Sequence, residues 1–114
     1  MRGFSLPDDC LFCRLYREGE HVASTDGAVA IQDINPAAEV HLLVIPERHV
    51  DSFREISDLE PDEAKQMLDF IAETARAQGL SDYRVLVNVG EGAGQTIFHL
   101  HWHILGGSMR GLPL

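Results

Sequence analysis

Phe98-His99-Leu100-His101-Trp102-His103-Ile104-Leu105 carries three of the chain's six histidines at every second position. Successive side chains of a strand point to opposite faces. A strand over about 96–105 therefore puts His99, His101 and His103 on one face and Phe98, Leu100, Trp102 and Ile104 on the other. The apolar face reads as core. Three imidazoles in a row are hard to explain by packing, and two chemistries fit them. Neutral imidazole is a competent nucleophile near pH 7, and a neighbouring imidazolium can hold phosphoryl oxygens or protonate a leaving group. Three histidines can equally hold a catalytic zinc. Spacing alone does not choose between the two.

One residue before this stretch ends Gly90-Glu91-Gly92-Ala93-Gly94-Gln95-Thr96. Three glycines suit a plain hairpin loop, and they also let backbone amides approach phosphate oxygens closely. Gln95 and Thr96, next to the histidines, favour the second use. Further upstream, Tyr83, Val85, Val87 and Val89 alternate with Arg84, Leu86 and Asn88, which predicts a strand over 83–89 with Asn88 on its less apolar side. Ala64, Met67, Leu68, Ile71, Ala72 and Ala75 repeat at three- and four-residue spacing and predict one long helix over about 61–78. Pro61, Asp62 and Glu63 suit its start, and Gly79 its end. A buried strand over 40–46 turns Val40, Leu42 and Val44 one way and His41, Leu43 and Ile45 the other. Two short strands near 21–24 and 28–33 meet at Asp26-Gly27, a strong hairpin signal. A first helix over about 8–18 has Leu11, Phe12, Leu15 and Tyr16 on its apolar side. One long and one short helix among about five strands suit an α+β antiparallel meander better than a doubly wound parallel sheet.

At 114 residues the chain makes one domain, spanning 1–114. A hydrophobic fraction of 45% with 24% charged residues is ordinary for a globular fold. Nine basic against eighteen acidic residues, a net charge of −9, fits no nucleic-acid polymer. A small anion held by histidines and backbone amides stays compatible with that charge. No apolar run approaches the roughly 20 residues that span a bilayer, and the first nine residues lack a signal-peptide core. A cytoplasmic location is expected. Cys10 and Cys13 form one Cys-x-x-Cys, which in a reducing compartment points to metal or redox chemistry.

These blocks resemble the histidine-triad (HIT) family, whose signature is His-x-His-x-His followed by apolar residues, and most of all its Hint-like branch of purine nucleoside phosphoramidases. The likeness runs through Asp9-Cys10-Leu11-Phe12-Cys13, Asp33-Ile34-Asn35-Pro36, His41-Leu42-Leu43-Val44-Ile45-Pro46, His49, Val87-Asn88, Gly94-Gln95-Thr96, the triad and Gly106-Gly107. It implies a HIT-like antiparallel sheet with two helices, a homodimer and a covalent nucleotidyl-histidine intermediate. By position His101 would be the nucleophile, with His103 and His41 lining the phosphate site. Asn88, Gly94, Gln95 and Thr96 would position phosphate and leaving group, Asp33 would bind the ribose hydroxyls, and Ile34 would pack near the base. The resemblance also implies a structural zinc on Cys10, Cys13, His49 and His99, with no metal required for the chemical step. Thr96 stands where serine is common in the branch, and Glu39 where proline is common.

The expected activity is hydrolysis of the P–N bond in adenosine or guanosine 5′-phosphoramidates, with acyl-adenylates as related substrates. A dinucleoside polyphosphate hydrolase of the same family, a nucleotide-binding scaffold with incidental hydrolysis and a zinc-dependent hydrolase are the alternatives.

Overall fold

A computed structural model describes residues 10–109. One antiparallel sheet runs in the order β1-β2-β3-β5-β4, from β1 (Ala23–Thr25), β2 (Ala28–Gln32), β3 (Ala38–Pro46), β4 (Tyr83–Leu86) and β5 (Trp102–Met109). Helices α1 (Leu11–Glu18) and α2 (Pro61–Ala77) and two 3-10 segments, Phe53–Asp58 and Glu91–Ala93, complete the described chain. The α+β class and the five strands are as expected. Among the described residues no helix is long and apolar enough to cross a membrane.

The central strand is buried on both faces, because each helix covers one. Leu42 and Val44 pack with Met67, Phe70, Ile71 and Ala75 of α2, whereas Leu43 and Ile45 pack with Phe12 of α1. Period-two alternation then places His41 on the α1 side. In the register, His41 lies opposite Leu105 and His103 opposite Leu43. The two histidines are thus diagonal neighbours on one face, close enough for their rings to meet.

Local chemistry accounts for the helix ends. Cys10 is the N-cap of α1 and accepts the Cys13 N–H at 3.2 Å, so Cys-x-x-Cys spacing brings both sulfurs to one helix end. The predicted start at 8 falls on residues outside those described. Glu63 reaches back to the Glu60 N–H at 2.8 Å at the start of α2, and Gly79, at φ +78°, ends it. The buried stripe of α2 is Met67, Phe70, Ile71, Thr74 and Ala75. Phe70 and Thr74 take the places expected for Leu68 and Ala72, and Leu68 is 48% exposed.

Two strands are shorter than their patterns. The stretch 83–89 stays in the sheet only as far as Leu86, and then leaves toward the glycine loop. More important, the predicted strand over 96–105 starts at Trp102, so His103 alone of the triad lies in the ladder. Val44 pairs with Trp102, and two residues further would set Leu100 against Pro46, which has no N–H to donate. The Leu100 N–H goes instead to the Val50 carbonyl at 2.8 Å. The triad is therefore not three imidazoles on one strand face.

Candidate functional site

A cavity of about 290 Å³ opens between α1, the end of β2 and the glycine loop. Leu11, Phe12, Leu15, Ile31 and Leu43 make its apolar wall, and Asp33, Asn88, Gly94, Thr96, His101 and His103 its polar one. Ile34 stands at the rim, 91% exposed. Gly94 sits at φ +98°, and a Cβ added there would lie 3.9 Å from Asn88 Nδ2. A backbone of this hand favours glycine and leaves the loop open toward the cavity.

Hydrogen bonds assign the ring nitrogens, because a backbone N–H only donates and a carbonyl only accepts. His101 Nδ1 lies 2.8 Å from the His99 carbonyl, so Nδ1 carries the proton and Nε2 keeps its lone pair. The ring is steadied by Phe12, edge-on at 4.8 Å. His41 Nδ1 accepts the Ala37 N–H at 3.0 Å, which leaves its proton on Nε2. That N–H donates to His103 Nδ1 at 2.9 Å, with Asp33 Oδ2 3.3 Å away. The neutral His103 ring then carries its proton on Nε2, an atom that is buried and without a partner among the described residues. A donor left bare in this way is costly unless a ligand meets it. The same assignment bars a cation from Asp33, His41 and His103, because the nitrogen it would need bears a proton.

Burial disfavours the charged form of all three rings. It holds His103 down to about 4, with the neighbouring His101 and His41 acting in the same direction and Asp33 against it. His101 is lowered by burial, opposed by its bond to the His99 carbonyl and by Asp33. His41 is lowered by burial against the pull of Asp33.

A second cluster joins Cys10, Cys13, His49 and His99, whose donor atoms lie within 4.8 Å of one another. His99 Nδ1 is 3.3 Å from each sulfur, and His49 Nδ1 is 3.3 Å from Cys13 Sγ. Each ring is anchored through its other nitrogen: His99 Nε2 donates to the Pro46 carbonyl at 2.9 Å and His49 Nε2 to Asp51 Oδ1 at 3.1 Å. Both lone pairs therefore face the sulfurs, as metal-ligating histidines require. The four residues could hold a metal ion.

Of the residues expected at the nucleotide, Asp33, Ile34, Asn88, Gly94, Thr96, His101 and His103 line the cavity. His41 stands behind His103. Gln95 faces away: its amide is bonded to Gly90 N, Asp51 O and Ile97 O. The sequence pattern marks the α1 side chains only as packing; Phe12, inside the Cys-x-x-Cys, is the signal that they also wall the cavity. Asp51 carries no motif of its own, and its place two residues after His49 is the sole sequence sign of the bond to that ring.

A five-stranded antiparallel sheet presenting a histidine triad beside a glycine loop defines a histidine-triad fold. The chain belongs to the HIT domain family, whose model matches residues 17–109. It is 41% identical to Protein HitA of Neisseria gonorrhoeae over 87% of this chain and 96% of that one. A histidine triad protein from Clostridium difficile superposes with a TM-score of 0.84 at 35% identity, covering 96% of this chain and 98% of that one. A HIT family hydrolase from Clostridium thermocellum gives 0.80 at 32% identity, covering 96% and 99%.

Proposed function

We propose that the protein is a nucleotide hydrolase that cleaves the P–N bond of purine nucleoside 5′-phosphoramidates through a nucleotidyl–His101 intermediate. The observation carrying this reading is the anchoring of His101. Its Nδ1–H is held by the His99 carbonyl and its Nε2 lone pair is left for attack, beside the partnerless N–H of His103. Leu11, Leu15 and Ile34 suit a base, Asp33 a ribose, and the Gly94 backbone with Thr96 a phosphate. The similarity to a HIT family hydrolase supports the reaction class.

In the first step His101 Nε2 bonds to the α-phosphorus while the bond from phosphorus to the substrate nitrogen breaks. The electron pair leaves on the amine, which takes up a proton from solvent water relayed by the Thr96 hydroxyl. Loop amides and the His103 N–H hold the charge on the non-bridging oxygens. Water then cleaves the His101–phosphorus bond, giving AMP and neutral His101 and returning the proton spent on the amine. Trapping during turnover and peptide mass spectrometry should place the adduct on His101; an adduct on another histidine ends this mechanism. Faster turnover of a dinucleoside polyphosphate than of a phosphoramidate would redirect the substrate assignment.

The cysteine–histidine cluster reads as a structural zinc site. A tetrahedral zinc with ordinary bond lengths sets sulfur and nitrogen roughly 3.5 Å apart, near the spacing here. Cys10, Cys13, His49 and His99 would hold it, tying α1 to the segment that carries His101. Metal analysis should find one zinc per chain after purification without chelator. A homodimer completes the reading: β4 is an edge strand with Tyr83 and Val85 exposed, and Leu68 is exposed on α2. Sedimentation at micromolar concentration should show two chains, and a monomer would remove that part.

A further inference from the structure

A buried amide connects the cavity to the thiol–imidazole cluster. Gln95 is 2% exposed. Its Oε1 accepts the Gly90 N–H at 2.9 Å, and its Nε2 donates to the Asp51 carbonyl at 2.7 Å and the Ile97 carbonyl at 3.0 Å. Both amide hydrogens are therefore used, and the flipped amide would set oxygen against oxygen. Gly90 opens the loop, caps the 3-10 segment Glu91–Ala93 and accepts the Gln95 N–H at 3.0 Å. Asp51, at the other end, accepts the His49 N–H through its carboxylate at 3.1 Å. One residue thus holds a ring of the cluster by its side chain and, through Gln95, the phosphate loop by its main chain.

We propose that Asp51 and Gln95 form a brace through which the loaded cluster holds the glycine loop in its phosphate-binding arrangement, an inference that rests on the zinc reading above. Both are positioning residues. A shift of Asp51 would strand one of the buried Gln95 N–H groups, which is costly, so the loop must follow the cluster or lose that bond. Such coupling is reciprocal. Removing the brace must weaken zinc binding, although Gln95 touches none of the four ligands.

The test uses the full chain, with zinc per chain, zinc affinity by competition with a chromophoric chelator, and hydrogen exchange of the peptide 88–97. Stripping zinc from the wild type should speed exchange in 90–97 and raise KM for a phosphoramidate more than it lowers kcat. Gln95→Met should bind zinc at least about fivefold more weakly and exchange fast whether loaded or stripped. Asp51→Ala removes a side chain that is 69% exposed, so the fold should survive. It should weaken zinc about tenfold or more, and loop exchange should no longer respond to zinc, even at saturation. Wild-type zinc affinity in Gln95→Met, or equal exchange in loaded and stripped wild type, overturns the brace while leaving the zinc site standing. Absence of zinc from the wild type removes the zinc reading and the coupling with it. Should Gln95→Met fail to fold, the wild-type and Asp51→Ala comparisons decide alone.

Discussion

The segment 99–101 separates two histidine clusters whose rings are anchored in opposite ways. On the cavity side, His101 is anchored through Nδ1 and turns Nε2 outward, while the His41 N–H donates to His103 Nδ1 and leaves that ring's Nε2–H bare among the described residues. On the other side, His49 and His99 are anchored through Nε2 and turn Nδ1 toward two sulfurs. Which nitrogen is anchored, and on what, decides whether an imidazole is offered to a substrate or to a metal. His99 serves both clusters, with its ring facing the sulfurs and its carbonyl holding His101.

Removing the proposed nucleophile should have the largest effect. His101→Ala should lower turnover by several orders of magnitude, while AMP binding measured by calorimetry stays close to wild type; near-normal turnover would break the division of roles. His103→Ala keeps the nucleophile and removes the bare donor. A loss of roughly 10²–10⁴ in kcat is expected, and a loss equal to that of His101→Ala would mean that the two rings act as one unit.

The cluster side should answer in stability. Chelation should lower the melting midpoint by roughly 10 °C or more, the scale for removing a ligand present at about a hundred times its dissociation constant. An unmoved midpoint in calorimetry would make the cluster a thiol pair and end the contrast between the two regions.

A smaller effect concerns pH. His103 sits at about 4 instead of the ordinary 6.5, so between those values the folded protein binds fewer protons than the unfolded chain. The linkage then makes stability rise with pH. This contribution is complete above about 6.5 and is lost as the pH falls toward 4. The groups facing the ring are His41, His101 and Asp33, and the carboxylate only partly offsets burial. Urea midpoints should therefore fall on acidification, and less steeply in His103→Gln. An unchanged slope would mean that His103 is not held neutral by its surroundings.

Much of this was legible in the sequence because local rules carry it. Asp26-Gly27 makes the hairpin, period-two alternation puts His41 on the face away from Leu42 and Val44, and three- to four-residue spacing marks α2. The family resemblance, not a local rule, singled out His49 and His99 beside Cys-x-x-Cys, which form one cluster, and the nine residues expected at the nucleotide, seven of which line one cavity. What the sequence could not determine depended on partners distant along the chain. The triad reads as a continuous strand because alternation records only side-chain polarity. The pairing that ends β5 at Trp102 depends on Pro46 lying in register with Leu100, and that register exists only once the strands are side by side. In the same way Gln95 looks like a phosphate contact beside the triad. Only the packed structure, which sets the Asp51 carbonyl 2.7 Å away, turns its amide inward, because a buried N–H must find an acceptor wherever the fold provides one.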